Sequence, residues 1–201
     1  YDGRDRLNDF VRYDFGIDNF QVPEGTLVDD LRSWRHDVDS CDVTFVLDDG
    51  SHMSAHRLIL RKRCAYFQAM FGHNMRESRL DEIPLRGVER HVLDALLEYL
   101  YTDTLMTDDN DIASIMQVFG AADLFGLHRL KIICCQCLLQ SITPENCATL
   151  FLAADVHAAT DLRAKTKAYL LQHFERASKT TAFEEMGRTN MDLVFEILKS
   201  R

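Results

Sequence analysis

The sequence predicts an α/β chain, mostly helical, in which a small sheet flanked by helices is followed by an all-α lobe. Three observations carry that expectation. Only 9 Gly and 3 Pro interrupt 201 residues, of which 46% are hydrophobic, a composition that can bury a core and favours helices over low-complexity chain. β-branched and aromatic residues concentrate in one short run at 42–47, next to the turn signal Asp48-Asp49-Gly50. From Val88 onward the apolar residues recur at helical spacing.

Residues 1–25 mix charges with Phe10, Tyr13, Phe15 and Phe20 in no clear period and run into Val22-Pro23-Glu24-Gly25. They are expected to form an appendage ending in a linker. With no Met at Tyr1, the chain is expected to be a piece of a longer protein. Thr26 is expected to cap a helix whose first turn carries Asp29 and Asp30 near the positive end of the dipole. Leu27, Leu31 and Trp34 fall on one stripe of that helix.

A strand at 42–47, the turn and a strand at 51–55 then read as a hairpin. Helices are expected at 56–61 and 64–71, broken by Gly72-His73-Asn74, with 75–81 polar and irregular. A third strand at 82–85 precedes a helix marked by Val88, Val92, Leu93, Leu96, Leu97 and Leu100. Two amphipathic helices, 108–124 and 127–138, flank Gly126 and close the first lobe near Ser141. Thr143-Pro144-Glu145 reads as a helix start, since Thr can cap and Pro fits the first turn. In the second lobe Leu150, Phe151 and Ala154 mark one face and Leu162, Tyr169 and Leu170 another, while Met191, Val194, Phe195 and Leu198 mark a terminal helix.

Composition excludes several function classes. The formal charge of −9, from 23 basic and 32 acidic side chains, repels phosphate backbones, so no nucleic-acid partner is expected. No stretch approaches the ~18 apolar residues of a membrane span. No nucleophile with a base, no paired carboxylates and no phosphate-binding glycine loop stand out, so neither an enzyme nor a cofactor is expected. Cys134, Cys135 and Cys137 with His128 suggest zinc only superficially, because successive helical residues diverge by about 100°. They read as reduced core thiols of a cytoplasmic or nuclear protein. His52 and His56 straddle a strand-to-helix junction, and Asp108-Asp109-Asn110-Asp111 lacks the glycine and distal glutamate of a calcium loop. That acidic cluster is expected to cap the helix after it.

Several short motifs agree in order. Cys41-Asp42-Val43-Thr44-Phe45, Ala55-His56-Arg57, Tyr66-Phe67-Gln68-Ala69-Met70-Phe71, Met75-Arg76-Glu77-Ser78 and Leu97-Glu98-Tyr99-Leu100-Tyr101-Thr102 together closely resemble the BTB (POZ) family. Ala121-Ala122-Asp123-Leu124 and Leu130-Lys131 resemble its last helices, and Ile142-Thr143-Pro144-Glu145-Asn146-Cys147 the opening of a BACK-type (3-box) extension. The resemblance implies a BTB domain at 26–141 and a BACK-like lobe at 142–201; the appendage at 1–25 lies outside it.

It also implies a homodimer acting as a substrate adaptor of cullin-3 ubiquitin ligases, with the protein substrate bound by a region outside this chain. In that family a hydrophobic residue, any residue and an acidic residue follow the third helix and contact cullin-3. Met75-Arg76-Glu77 fits, which makes Met75 and Glu77 the expected cullin contacts, with Phe125 a weaker candidate. Without the resemblance, the same three residues are an ordinary surface loop. Leu27, Leu31, Trp34 and Ile59 occupy positions similar to the family's dimer contacts; their bland alternative is intramolecular packing. Asp42 and Arg57 admit two readings, a charged groove for transcriptional partners or a structural pair at a sheet edge, and the second is preferred. The rival to the adaptor is therefore a dimeric scaffold or regulator that never engages cullin.

Overall fold

The computed structural model describes residues 24–72, 75, 77, 80–106 and 111–201. The turn signal at 48–50 produces the hairpin it predicts. Gly50 takes φ +79°, a value that only glycine adopts without strain, and the Asp49 carboxylate accepts from the Ser51 N–H at 2.8 Å. Strands β1 (Val43–Val46) and β2 (His52–Ala55) are thereby paired antiparallel. β3 (Glu82–Pro84) joins the other edge of β1 in parallel, giving the order β2-β1-β3. β1 turns Val43 and Phe45 into the core.

Helix α1 (Leu27–Arg35) precedes the sheet, and α2 (Arg57–Arg63) and α3 (Ala65–Met70) follow it. α4 (Arg90–Thr102) is the central helix, with Leu93, Leu96, Leu97 and Leu100 all buried. α5 (Ile112–Leu124) and α6 (His128–Gln140) pack against each other. Asp111 caps α5, accepting from the Ser114 N–H at 3.0 Å, as expected of the acidic cluster; residues 108–110 lie outside the described residues. Five more helices complete the chain: α7 (Cys147–Val156), α8 (Thr160–Gln172), α9 (Phe174–Ala177), α10 (Thr181–Thr189) and α11 (Met191–Lys199). Among the described residues no helix is long and apolar enough to cross a membrane.

The helices after Ser141 share the first core and add a second. Leu150, Ala154 and Leu162 pack with the core around Phe45, Leu93 and Phe119, while Phe151, Leu170, Met186, Leu193 and Ile197 form another. A polar clasp reinforces the junction. Lys131 donates from Nζ to Asp123 and to the His157 carbonyl, each at 2.6 Å, and the His157 imidazole lies 3.1 Å from Asp123 Oδ2.

Three expectations differ from the structure. Thr26 precedes α1 but does not cap it with its side chain; its hydroxyl donates to Asp30 Oδ2 at 2.9 Å, an acceptor one turn along that competes for it. α7 starts at Cys147, four residues after Thr143. There the Asn146 amide holds a turn, accepting from the Thr143 N–H at 2.8 Å and donating to the Ser141 carbonyl at 2.9 Å. On α11 the core takes Leu193 and Ile197, leaving Met191, Phe195 and Leu198 exposed. That helix is apolar on more than one side, so periodicity alone does not select the buried stripe.

Candidate functional site

α1 is amphipathic in the reverse of the usual sense. The face it turns toward α4 is charged. Arg35, only 8% exposed, donates from Nη1 to Glu98 Oε2 at 3.0 Å and is also paired with Asp94. Arg32 donates from Nε to Glu98 Oε1 at 2.8 Å. Glu98, buried in the middle of α4, is thus bracketed by two guanidinium groups. Apolar side chains face outward: Leu27 is 69% exposed, and Val28 and, on α2, Leu58 are exposed too. Leu31, Trp34 and Ile59 are half-buried. Trp34 packs its ring on His56 with centroids 4.2 Å apart, which joins the end of α1 to the start of α2.

Met75 is 50% exposed. Its N–H donates to the Gly72 carbonyl at 3.0 Å, so the chain turns directly after α3. Glu77 is half-buried, its carbonyl accepting from the Leu80 N–H at 3.4 Å; Arg76 lies outside the described residues. Arg57 tethers both ends of this connection. Its guanidinium sits over the Phe71 ring, 5.1 Å from the centroid, and donates to the Leu80 carbonyl.

The same arginine accounts for Asp42. Asp42 Oδ1 accepts from the Arg57 backbone N–H at 2.6 Å, and the Asp42 carbonyl accepts from Arg57 Nε at 3.0 Å. The carboxylate satisfies the first N–H of α2, which has no partner within its own helix, and the guanidinium is engaged within the chain.

Phe125 departs from the expectation of a surface contact. It is 2% exposed, stacked against Phe67 at 5.3 Å and met edge-on by Tyr66 at 4.8 Å. Following the α5 terminus does place it beside α3, but its ring fills the core, and Tyr66 is the exposed member of the group.

Sequence reasoning missed the Arg32, Arg35, Asp94 and Glu98 cluster. Arg35 and Glu98 are 63 residues apart, and no local pattern announces such a pairing. A weak signal existed in the charges interrupting an otherwise apolar α4. It also missed the polar surroundings of Trp34, whose Nε1 donates to Ser40 Oγ at 3.0 Å, and of His56, bonded to Tyr101. Burial pushes the Tyr101 hydroxyl up to about 12 and pulls the His56 imidazole below its ordinary value against the pull of Asp42 and Asp37. All six cysteines are free thiols, with burial raising Cys134 to about 12 and Cys147 to about 11. Among the described residues no three His, Cys, Asp or Glu side chains are grouped to hold a metal ion.

A family profile described as "BTB/POZ domain" matches residues 31–142. Kelch-like protein 2 of Homo sapiens is 35% identical over 147 residues, covering 73% of this chain and 24% of that protein. Kelch-like protein 17 of Mus musculus is 31% identical over 143 residues, with 71% and 22% covered. Kelch-like protein 5 of Homo sapiens is 34% identical over 143 residues, with 71% and 18% covered. The chain thus spans about a quarter or less of the length of these curated relatives. Among solved structures, the BTB (Tramtrack and Bric a brac) domain of human Gigaxonin is similar at 26% identity and a TM-score of 0.45, covering 58% of this chain and 95% of that one.

Proposed function

The chain belongs to the BTB/POZ family, and from that premise we propose that it is the dimeric adaptor segment of a cullin-3 ubiquitin ligase. In this reading cullin-3 docks on Met75, Glu77 and the neighbouring α3 surface around Tyr66, with Phe125 supporting Tyr66 from beneath. The observation that carries it is a half-exposed methionine on a connection held at both ends by Arg57. A flexible, polarizable side chain on a tethered turn can fill an apolar groove at small ordering cost. Two copies pair through Leu27, Leu31, Trp34 and Ile59, since α1 is fastened to α4 by charge and leaves its apolar stripe outward. Such a self-complementary stripe suits a two-fold interface.

Residues 142–201 act as a BACK-type extension of the domain at 26–141. The substrate is bound elsewhere in the longer protein, and the transfer chemistry belongs to other subunits. Turnover of any substrate by the isolated chain would overturn that last assignment.

The test is calorimetric binding of the cullin-3 N-terminal segment to the wild type and to Met75→Asp. A central anchor contributes about 2 kcal/mol or more, roughly a 30-fold loss of affinity on replacement. Equal affinity for both would remove Met75 from the interface, and no binding by the wild type under conditions where an established adaptor binds would remove cullin-3 altogether.

A further inference from the structure

Trp34 is the only tryptophan of the chain, and it begins a hydrogen-bond chain that crosses from α1 to α4. Its Nε1 donates to Ser40 Oγ at 3.0 Å. Ser40 spends its own proton on the Asp37 carbonyl at 3.0 Å, so toward His56 Nε2, 2.9 Å away, it can only accept. The imidazole proton is therefore on Nε2. Nδ1 is bare and accepts from the Tyr101 hydroxyl at 2.6 Å, whose oxygen accepts from the His56 backbone N–H at 2.9 Å. With a neutral imidazole, every donor in the chain has an acceptor.

A second proton on His56 must go to Nδ1, where it meets the Tyr101 O–H. The phenol can accept there only by turning its own proton away, and Tyr101 is 4% exposed. A buried donor then loses its partner while a charge appears on an equally buried ring. The groups facing this site pull in both directions. Asp37, from the turn after α1, and Asp42, at the start of β1, favour the imidazolium. Arg35 and the Cys41 thiol lie within electrostatic reach of Tyr101.

We propose that His56 is a proton-sensitive latch on α1: neutral, it ties the Trp34 turn to α4, and protonated, it releases that turn and weakens the face through which two copies pair. The pairing half rests on the dimeric reading above. Burial holds the folded-state imidazole below its ordinary value, so the latch is fully closed above the ordinary histidine value of about 6.5. It opens as pH falls through that value toward the folded-state one.

The single tryptophan makes the test direct, because an indole released from its packing on His56 meets water and emits at longer wavelength. The wild-type emission maximum is expected to move reversibly to longer wavelength in one transition below pH 6.5, while that of His56→Gln stays flat. A wild-type profile flat between pH 7.5 and 5, or a red shift that His56→Gln shares, would overturn the latch. Should His56→Gln not fold, ¹⁵N-histidine spectra of the wild type decide: the residue that titrates with the emission must be the Nε2–H tautomer at pH 7.5, and an Nδ1–H tautomer refutes the assignment. The dimer dissociation constant of the wild type is expected to rise from pH 7.5 to 5.5 and that of His56→Gln to hold constant. An unchanged wild-type constant contradicts the coupling, whereas a chain monomeric at pH 7.5 contradicts the pairing reading and leaves the emission to decide the latch.

Discussion

Ala158 takes φ +49° immediately after α7, where the Ala159 N–H closes back onto the Ala154 carbonyl at 2.8 Å. α5 ends by the same backbone motif, with the Leu127 N–H on the Ala122 carbonyl at 2.8 Å, but the left-handed position there is Gly126 at φ +68°. An L side chain in that region costs about 1 kcal/mol. Ala158→Gly is therefore expected to raise the urea midpoint by about that stability with an unchanged slope; a lower midpoint would contradict the assignment. Glu98 works in the opposite direction. Removing it strands the buried Arg35 guanidinium with only the more exposed Asp94, so Glu98→Ala is expected to cost about 3 kcal/mol or more. A loss under about 1 kcal/mol would mean that charge is not what fastens α1. Neither residue's role was legible beforehand. Nothing in an alanine announces a left-handed backbone, and an ion pair between residues 63 apart has no local spacing to read. That Leu27 and Trp34 share one helix and that Met75 follows α3 was legible because each stands in a local motif, whereas the burial of Phe125 was not, because sequence adjacency to a junction says nothing about it.

Among the elements, α1 carries the pairing surface proposed above. Its inward charges and outward apolar stripe predict a light-scattering mass near twice the 23.2 kDa of the chain, falling to the single-chain mass in Leu31→Asp. A wild-type monomer at micromolar concentration would contradict this. Between α8 and α11, the Glu196 carboxylate is held below its ordinary range first by Arg163, at 2.5 Å, and then by Lys167, at 2.7 Å. A depressed carboxylate stabilises the fold fully above its unfolded value and loses that contribution as pH falls through the folded one. Glu196→Gln should accordingly flatten the stability profile below about pH 4.5, the unfolded value; an acid limb as steep as the wild type's would assign the loss to other groups. The hairpin, the third strand and the helix order could be read from turn chemistry and periodicity. The start of α7 and the buried stripe of α11 could not, since side-chain competition by Asn146 and tertiary packing decide them.

Taken whole, the molecule packs helices that follow Ser141 onto the core of the first lobe. Leu150, Ala154 and Leu162 complete the core that also holds the sheet and α4, so cutting the chain after Ser141 is expected to lower stability by several kcal/mol, as the loss of three buried apolar side chains does. Urea unfolding of the two lengths would measure it, and equal midpoints would show the lobes to be independent. The sheet, α1 and the Met75 connection are held in one frame by α4 and Arg57, which is what a dimeric adaptor presenting one docking site per copy requires. The most direct measurement is the light-scattering mass of the chain mixed with excess cullin-3 N-terminal segment. The account predicts two chains with two cullin segments; a complex with one chain, or two free species under conditions where an established adaptor assembles, would contradict it.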